Sequence, residues 1–291
     1  MSTHTAARGD ASVHQIPEQG IALCVLGEVE ALGPCGRFAP GGARPGAVLA
    51  LLAIDAGECV PVDRFLDELW TTGAAARDIK RVQVNIRRLR QALTRIAPDV
   101  DAAATVRTRA RGYALEIDPA DVDAVRFARL VARGQRELDA REPRRAAATL
   151  RSALALWRGE PYADYAYEQF VAAEARRLED LRRYAVELQI EARLALGEHA
   201  TMVAELDRRI ARDPLRERLH ALLMIALYRC GRQGDALAAY RAAYTTLVDA
   251  LGIEPGAELC RPQRAILEQS ACLELDGDAA RAALATGGQA A

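Results

Sequence analysis

Lys80, Arg81, Val84, Arg87, Arg88, Gln91 and Arg95 follow one another at intervals of one, three or four residues, so a helix through them carries all seven on one arc. That arc holds guanidiniums, an ammonium, an amide and one short branched side chain, the groups that meet base edges and phosphates in a major groove. Arg87 and Arg88 suit bidentate contact with guanine or with a phosphate, and Val84, central on the face, suits a thymine methyl. Lys80, Arg81 and Arg95 suit phosphates. The other arc is apolar: Ile79, Val82, Ile86, Leu89, Leu93 and Ile96 recur at steps of 3, 4, 3, 4 and 3, one face of a helix over residues 77–96. Asp78 is placed to cap that helix or to favour its dipole from the first turn. An ordinary amphipathic helix with a solvated basic face has the same pattern; the surrounding charge separates the two readings. Between Arg77 and Arg111 ten basic residues stand against three acidic ones, a local excess of +7 in a chain of net charge −1. Such a concentration is the electrostatic footprint of a nucleic-acid-binding face. Arg90 lies beside the apolar stripe, where packing of its stem or an intramolecular pair competes with a DNA contact.

The flanking sequence supplies the elements that would hold such a helix. Residues 21–32 form two short apolar segments broken at Gly27 and, with Arg37 and Phe38, predict a small antiparallel sheet turned at 33–36 and 40–42. Residues 44–56 read as a helix with Pro45 in its first turn and Gly57 beyond its end, its core contact coming from Val48, Leu51 and Leu52. A second helix spans 62–70, burying Val62, Phe65, Leu66, Leu69 and Trp70, with Asp63 in its first turn. A loop at 71–76 follows. After Pro98 and Asp99, residues 106–117 read as a β-hairpin with Tyr113, Leu115 and Ile117 inward. Arg107, Arg109 and Arg111 cluster at its tip, as phosphate or minor-groove contacts or as a solvated turn.

From Val122 the chain is helical throughout. Gly197, Met202 and Leu206 repeat after 34 residues as Gly231, Ala236 and Tyr240, and Ala146, Leu150 and Ala153 form a looser earlier copy. Small and large apolar residues so spaced fit tetratricopeptide-type helical hairpins stacked in a solenoid. The expected organisation is a polar tail at 1–20, a DNA-binding domain at 21–118, a helical domain at 122–270, and an Ala- and Gly-rich tail at 271–291. The fold class is mainly α with small β elements.

No apolar run reaches the roughly 20 residues that span a bilayer, and the first 20 residues lack a signal-peptide pattern; the expected place is the cytoplasm, at the nucleoid, with no membrane partner. Six dispersed cysteines without C-x-x-C spacing read as buried reduced thiols, not a zinc site. His199 and His220 have no H-E-x-x-H or cysteine partner, and no phosphate-binding G-x-x-x-x-G-K-[ST] occurs. Catalysis, a cofactor and a metal are therefore not expected. Trp157 and Tyr162, in L-W-R-G-E-P-Y-A-D-Y, read as packing between helix pairs in preference to a ligand-binding corner; Tyr165 and Tyr167 are open to the same two readings.

A winged helix-turn-helix accounts for a sheet, three helices and a terminal hairpin in this order. The run I-K-R-V-Q-V-N-I-R-R-L-R-Q-A-L, with R-G-Y-A-L on the returning strand, resembles the DNA-binding domain of OmpR-type response regulators. V-D-R-F-L-D-E-L-W before it and D-V-D-A-V-R-F-A-R-L after it narrow the resemblance to the Streptomyces antibiotic regulatory proteins, over about residues 20–270. R-D-P-L-R-E-R and G-R-Q-G-D-A-L-A-A-Y are similar to the bacterial transcriptional activation domain of that family. The resemblance implies an activator of secondary-metabolite gene clusters that binds promoter direct repeats as a head-to-tail dimer. It also implies recruitment of RNA polymerase holoenzyme through the σ factor and the C-terminal domain of the α subunit. Thr71, Thr72 and Arg77 are the implied polymerase contacts, although the family's Gly and Pro after the Trp are here T-T-G-A-A-A. The family's larger members carry a nucleotide-binding domain that is not expected here, nor is a receiver domain ahead of the winged helix. Two other readings stay open: a tetratricopeptide scaffold whose winged helix binds protein, and a ligand-responsive repressor.

Overall fold

The computed structural model describes residues 20–70, 76–270 and 273. The expected tails, apart from Gly20 and Leu273, lie outside the described residues together with Thr71 and Thr72, as do the side chains of Arg77 and Asp78. Strands β1 (Ala22–Cys24), β2 (Glu30–Gly33) and β3 (Gly36–Phe38) form an antiparallel sheet in that order, with Leu23 opposite Ala31 and Leu32 opposite Arg37. Helix α1 (Arg44–Ile54), strand β4 (Cys59–Pro61), helix α2 (Val62–Leu69) and helix α3 (Ala76–Ile96) follow. A short turn of helix, α4 (Ala102–Thr105), leads into β5 (Val106–Arg109) and β6 (Gly112–Leu115).

Three local expectations change. Helix α1 ends at Ile54, not Ala56, and buries every residue from Gly46 to Ala53; α2, α3 and β6 all pack on it, so no face is left for solvent. The hairpin gains a third strand, because β4 pairs with β6 to give the order β4-β6-β5. Ala114 is therefore buried beside Tyr113 and Leu115, whereas Ile117 lies past the strand and is only half-buried. Gly112 is required at this join: a Cβ there would sit 1.9 Å from the Val60 carbonyl oxygen. The cysteines also depart from expectation. Of the five described, Cys24 is buried, Cys260 is intermediate, and Cys35, Cys59 and Cys230 are exposed.

Helices α5 (Asp123–Asp139), α6 (Pro143–Leu154), α7 (Gln169–Ala195), α8 (His199–Ile210), α9 (Glu217–Arg229), α10 (Gln233–Leu251) and α11 (Ala257–Leu267) complete the chain. The 34-residue repeat is visible in the element starts, His199 for α8 and Gln233 for α10. Two residues ahead of each lies a left-handed glycine, Gly197 at φ 87° and Gly231 at φ 75°. Leu206, Met224, Ala236, Ala243, Leu247, Leu259 and Ile266 fill the core of these hairpins.

The chain divides into two compact units, Met1–Ala132 with Ser152–Arg183, and Arg133–Arg151 with Tyr184–Ala291. The first unit thus extends past the boundary drawn at residues 118–122, and backbone chemistry explains why. Residues 25–29 connect β1 to β2 without pairing in that sheet, so their polar groups need other partners. Val25 and Leu26 donate their N–H groups to the two carboxylate oxygens of Asp123, at 2.8 and 3.1 Å. The carbonyls of Val25, Leu26 and Gly27 accept from the N–H groups of Tyr162, Arg158 and Ala163, at 2.8, 2.8 and 3.0 Å. Val29 donates to Asp164 at 3.0 Å. Trp157 packs edge-on against Phe127, with the Arg182 guanidinium 4.4 Å above its ring. Tyr162 is fully buried and Tyr165 donates to the Ala43 carbonyl, whereas Tyr167 is fully exposed. Tyr162 and Tyr165 are core residues of this unit, and the partly buried Trp157 packs against that core.

Candidate nucleic-acid interface

Helix α3 separates its two faces as the periodicity requires. Val82, Ile86, Leu89, Leu93 and Ile96 are buried to 6% exposure or less. Ile79 is 42% exposed instead: it lies in the first turn, before the stripe meets the core at Val82. Lys80, Arg81, Arg87, Arg88, Gln91 and Arg95 are exposed, and Val84 is 47% exposed among them. An apolar side chain left in solvent between cations is the arrangement that a groove floor would complete. Sequence periodicity misses Asn85, which is buried; its amide nitrogen donates to the Arg81 carbonyl at 2.8 Å and its Oδ1 has no partner among the described residues.

The helix is held at both its end and its flank. The Ile96 carbonyl accepts from the Cys35 N–H at 2.8 Å, which ties the end of α3 to the β2–β3 turn. Gly33 permits that approach, since a Cβ there would lie 2.5 Å from the same oxygen. Arg90 bonds the wing: Nε donates to the Val106 carbonyl at 2.9 Å and Nη2 to Thr108 Oγ1 at 3.0 Å. Of its two readings, the intramolecular one holds. The hairpin tip is tied to α2 by the Val62 N–H, which donates to the Arg111 carbonyl at 3.0 Å.

Charge on the wing is distributed differently from the sequence expectation. Glu116 accepts from both Arg107, at 3.1 Å, and Arg109, whose Nη2 meets the other carboxylate oxygen. Strand alternation places Glu116 on the outer face of the hairpin but assigns it no partner. Two of the three wing guanidiniums therefore already have an anion, whereas Arg111 has none among the described residues. Lys80, Arg87 and Arg88 are likewise without an acidic partner there. Arg95 Nε donates to the Gln91 carbonyl one turn back, at 3.3 Å. Lys80, Val84, Arg87, Arg88, Gln91 and Arg95 thus share one surface of α3, with Arg81 at its edge, and the wing is fixed beside it through Arg90.

His199 and His220 are buried in the helical hairpins; His220 Nε2 lies 2.8 Å from the Pro214 carbonyl. Among the described residues no cluster of His, Cys, Asp and Glu could hold a metal ion, and no helix is long and apolar enough to cross a membrane.

Residues 41–115 match the family described as "Transcriptional regulatory protein, C terminal", and residues 122–267 match "Bacterial transcriptional activator domain". The chain is 38% identical to the regulatory protein DnrI of Streptomyces peucetius over 237 residues, covering 80% of this chain and 87% of DnrI. It is 40% identical to the transcriptional regulator RedD of Streptomyces coelicolor over 254 residues, covering 85% and 72%. A structure of Mycobacterium tuberculosis EmbR in complex with a low-affinity phosphopeptide superposes with a TM-score of 0.80 at 30% identity, over 92% of this chain and 69% of that one. With a winged helix-turn-helix followed by helical hairpins, matched along most of its length, the chain belongs to the Streptomyces antibiotic regulatory protein family of transcriptional activators.

Proposed function

We propose that this chain binds direct repeats in the promoters of a secondary-metabolite gene cluster as a head-to-tail pair and holds RNA polymerase there. The observation that carries the reading is the exposed face of α3, where Lys80, Arg87 and Arg88 surround an exposed Val84 with no acid paired to them among the described residues. On this reading Arg87, Arg88, Val84 and Gln91 meet base edges, while Lys80, Arg81, Arg95 and Arg111 take phosphates. Arg107 and Arg109 join them once they leave Glu116. No bond is made or broken; activation comes from binding free energy that links polymerase to a poor promoter. The proposed contacts on polymerase are the σ factor and the C-terminal domain of the α subunit, with Thr71, Thr72 and Arg77 the proposed positions on this side, by family resemblance.

Footprinting of the adjacent biosynthetic promoters, with transcription in vitro from the same templates, tests this. Protection of two repeats and raised transcript are expected. Protection with lowered transcript would make the chain a repressor, and no protection on any promoter would leave the winged helix to bind protein.

A further inference from the structure

Helices α7, α9 and α11 line a cavity of about 670 Å³, within the range of small-molecule sites. Its walls are mainly aliphatic, with Leu194 from α7, Leu222 and Ile225 from α9, and Pro262 and Ala265 from α11. Three guanidiniums and two carboxylates also line it, and both carboxylates are spent on one arginine. Arg218 Nη2 lies 2.6 Å from Glu191 and its Nη1 lies 2.9 Å from Glu258. Arg229 is left with carbonyls alone: Nε donates to Leu273 at 2.7 Å and Nη1 to Leu194 at 3.3 Å. Its Nη2 has no partner among the described residues. Burial pulls the Arg229 pKa below its ordinary value, with no carboxylate to offset the effect. His199 offers no anion in either protonation state, and burial and then the Arg229 charge hold its pKa below the usual imidazole value.

The Leu194 carbonyl belongs to the last turn of α7, so Arg229 serves in part as a helix cap. The two carbonyl bonds occupy two of its three nitrogens and do nothing for the charge. Arg229 is partly buried, and a guanidinium partly withdrawn from water without an anion carries a desolvation cost that an incoming carboxylate offsets while adding a charge-assisted hydrogen bond.

We propose that this cavity binds a small amphipathic carboxylic acid, its carboxylate on Arg229 and its hydrocarbon or aromatic body against the aliphatic walls. The probes are decanoate and decan-1-ol, titrated calorimetrically into the full chain without DNA, so the outcome is independent of promoter binding. Decanoate should bind saturably at one per chain, at least tenfold more tightly than the alcohol. Arg229→Gln, which keeps an amide donor for the Leu194 carbonyl, should bring decanoate to the affinity of decan-1-ol. Ala265→Phe fills the cavity from α11 while leaving Arg229 in place, and should abolish binding with the fold intact by circular dichroism. If Arg229→Gln does not fold, Ala265→Phe decides alone. Absent or non-saturable binding of decanoate, equal affinity for the alcohol, or undiminished binding by folded Ala265→Phe would each overturn the proposal.

Discussion

At the scale of single residues, the balance of charge between Glu116 and the wing sets how the chain would trade affinity for selectivity. Arg107 and Arg109 are each about half exposed, where an ion pair contributes about 0–1 kcal/mol, so a phosphate can displace Glu116. Both arginines then reach phosphate in the wild type as well, each contact worth about 0.9 in the log–log salt slope. Glu116→Gln should therefore tighten binding to all duplexes alike, by removing the competing ion pairs, and leave that slope unchanged. Anisotropy titrations across a salt series measure both, and an unchanged affinity would mean that the wing stays off the backbone. Arg87→Ala should behave oppositely, costing about 1–3 kcal/mol and relaxing preference at one or two base pairs. Arg111→Ala, by contrast, should weaken every sequence similarly and flatten the slope by about 1 unit. Equal loss on cognate and random duplexes for Arg87→Ala would move that residue from bases to phosphates.

At the scale of elements, what periodicity can express was legible and what depends on a neighbour was not. The α3 stripe, the turns at 33–36 and the 34-residue repeat each follow from one segment's own pattern. The burial of α1 on every side follows from three partners at once, and the pairing of β4 with β6 joins strands about fifty residues apart in sequence. The Arg107–Glu116 and Arg90–Val106 contacts depend on hairpin register in the same way. One element-scale feature is a shared C-terminal cap. After α5, α7 and α9 the residues Arg141, Gly197 and Gly231 take left-handed backbone at φ 57°, 87° and 75°. Each donates its N–H three residues back, and the following residue donates five back: Glu142 to Glu137, Glu198 to Arg193, Arg232 to Leu227. This is the Schellman arrangement, in which glycine carries no Cβ penalty. Arg141 is the one of the three that is not glycine. Arg141→Gly should stabilise the fold by about 0.5–1 kcal/mol, since a left-handed non-glycine residue costs about 1–2 kcal/mol and glycine loses part of that in unfolded-chain entropy. A urea midpoint equal to or below wild type would show that contacts of the Arg141 side chain outweigh its backbone strain.

At the scale of the molecule, the question is where the DNA-binding part ends as a folding unit. The family matches divide at residues 115 and 122, while the compact units put Ser152–Arg183 with the winged helix. Asp123 lies at the centre of that join, and desolvation raises its carboxyl from 3.8 to about 6 in spite of three amide donors and Arg158. A carboxyl with a raised folded pKa holds its proton more tightly when folded. Its contribution is therefore fully present below the unfolded value of 3.8 and is lost as pH rises through about 6. The stability of wild type relative to Asp123→Asn should fall across that window, and a difference constant with pH would mean that Asp123 ionises there as freely as in the unfolded chain. Truncation tests the join itself. A chain ending at Asp118 keeps both sheets and α1 to α3, but it strips Val25 and Leu26 of their acceptor. It also strips the Val25, Leu26 and Gly27 carbonyls of theirs, the N–H groups of Tyr162, Arg158 and Ala163. Each buried backbone group left unsatisfied costs about 1–3 kcal/mol, against a total stability of about 5–15 kcal/mol for a domain; water that reaches the exposed segment offsets part of this. The fragment ending at Asp118 should therefore melt well below a fragment ending at Arg183, which retains every one of these partners. Both should bind a single repeat when folded, and both should lose the advantage of tandem repeats that the full chain gains from linked contacts, on the order of 10²–10⁴ in avidity. Equal melting of the two fragments would show that the 152–183 segment rests on the winged helix without supporting it. Tandem-repeat binding by either fragment as cooperative as that of the full chain would give the second unit a task other than pairing protomers on DNA.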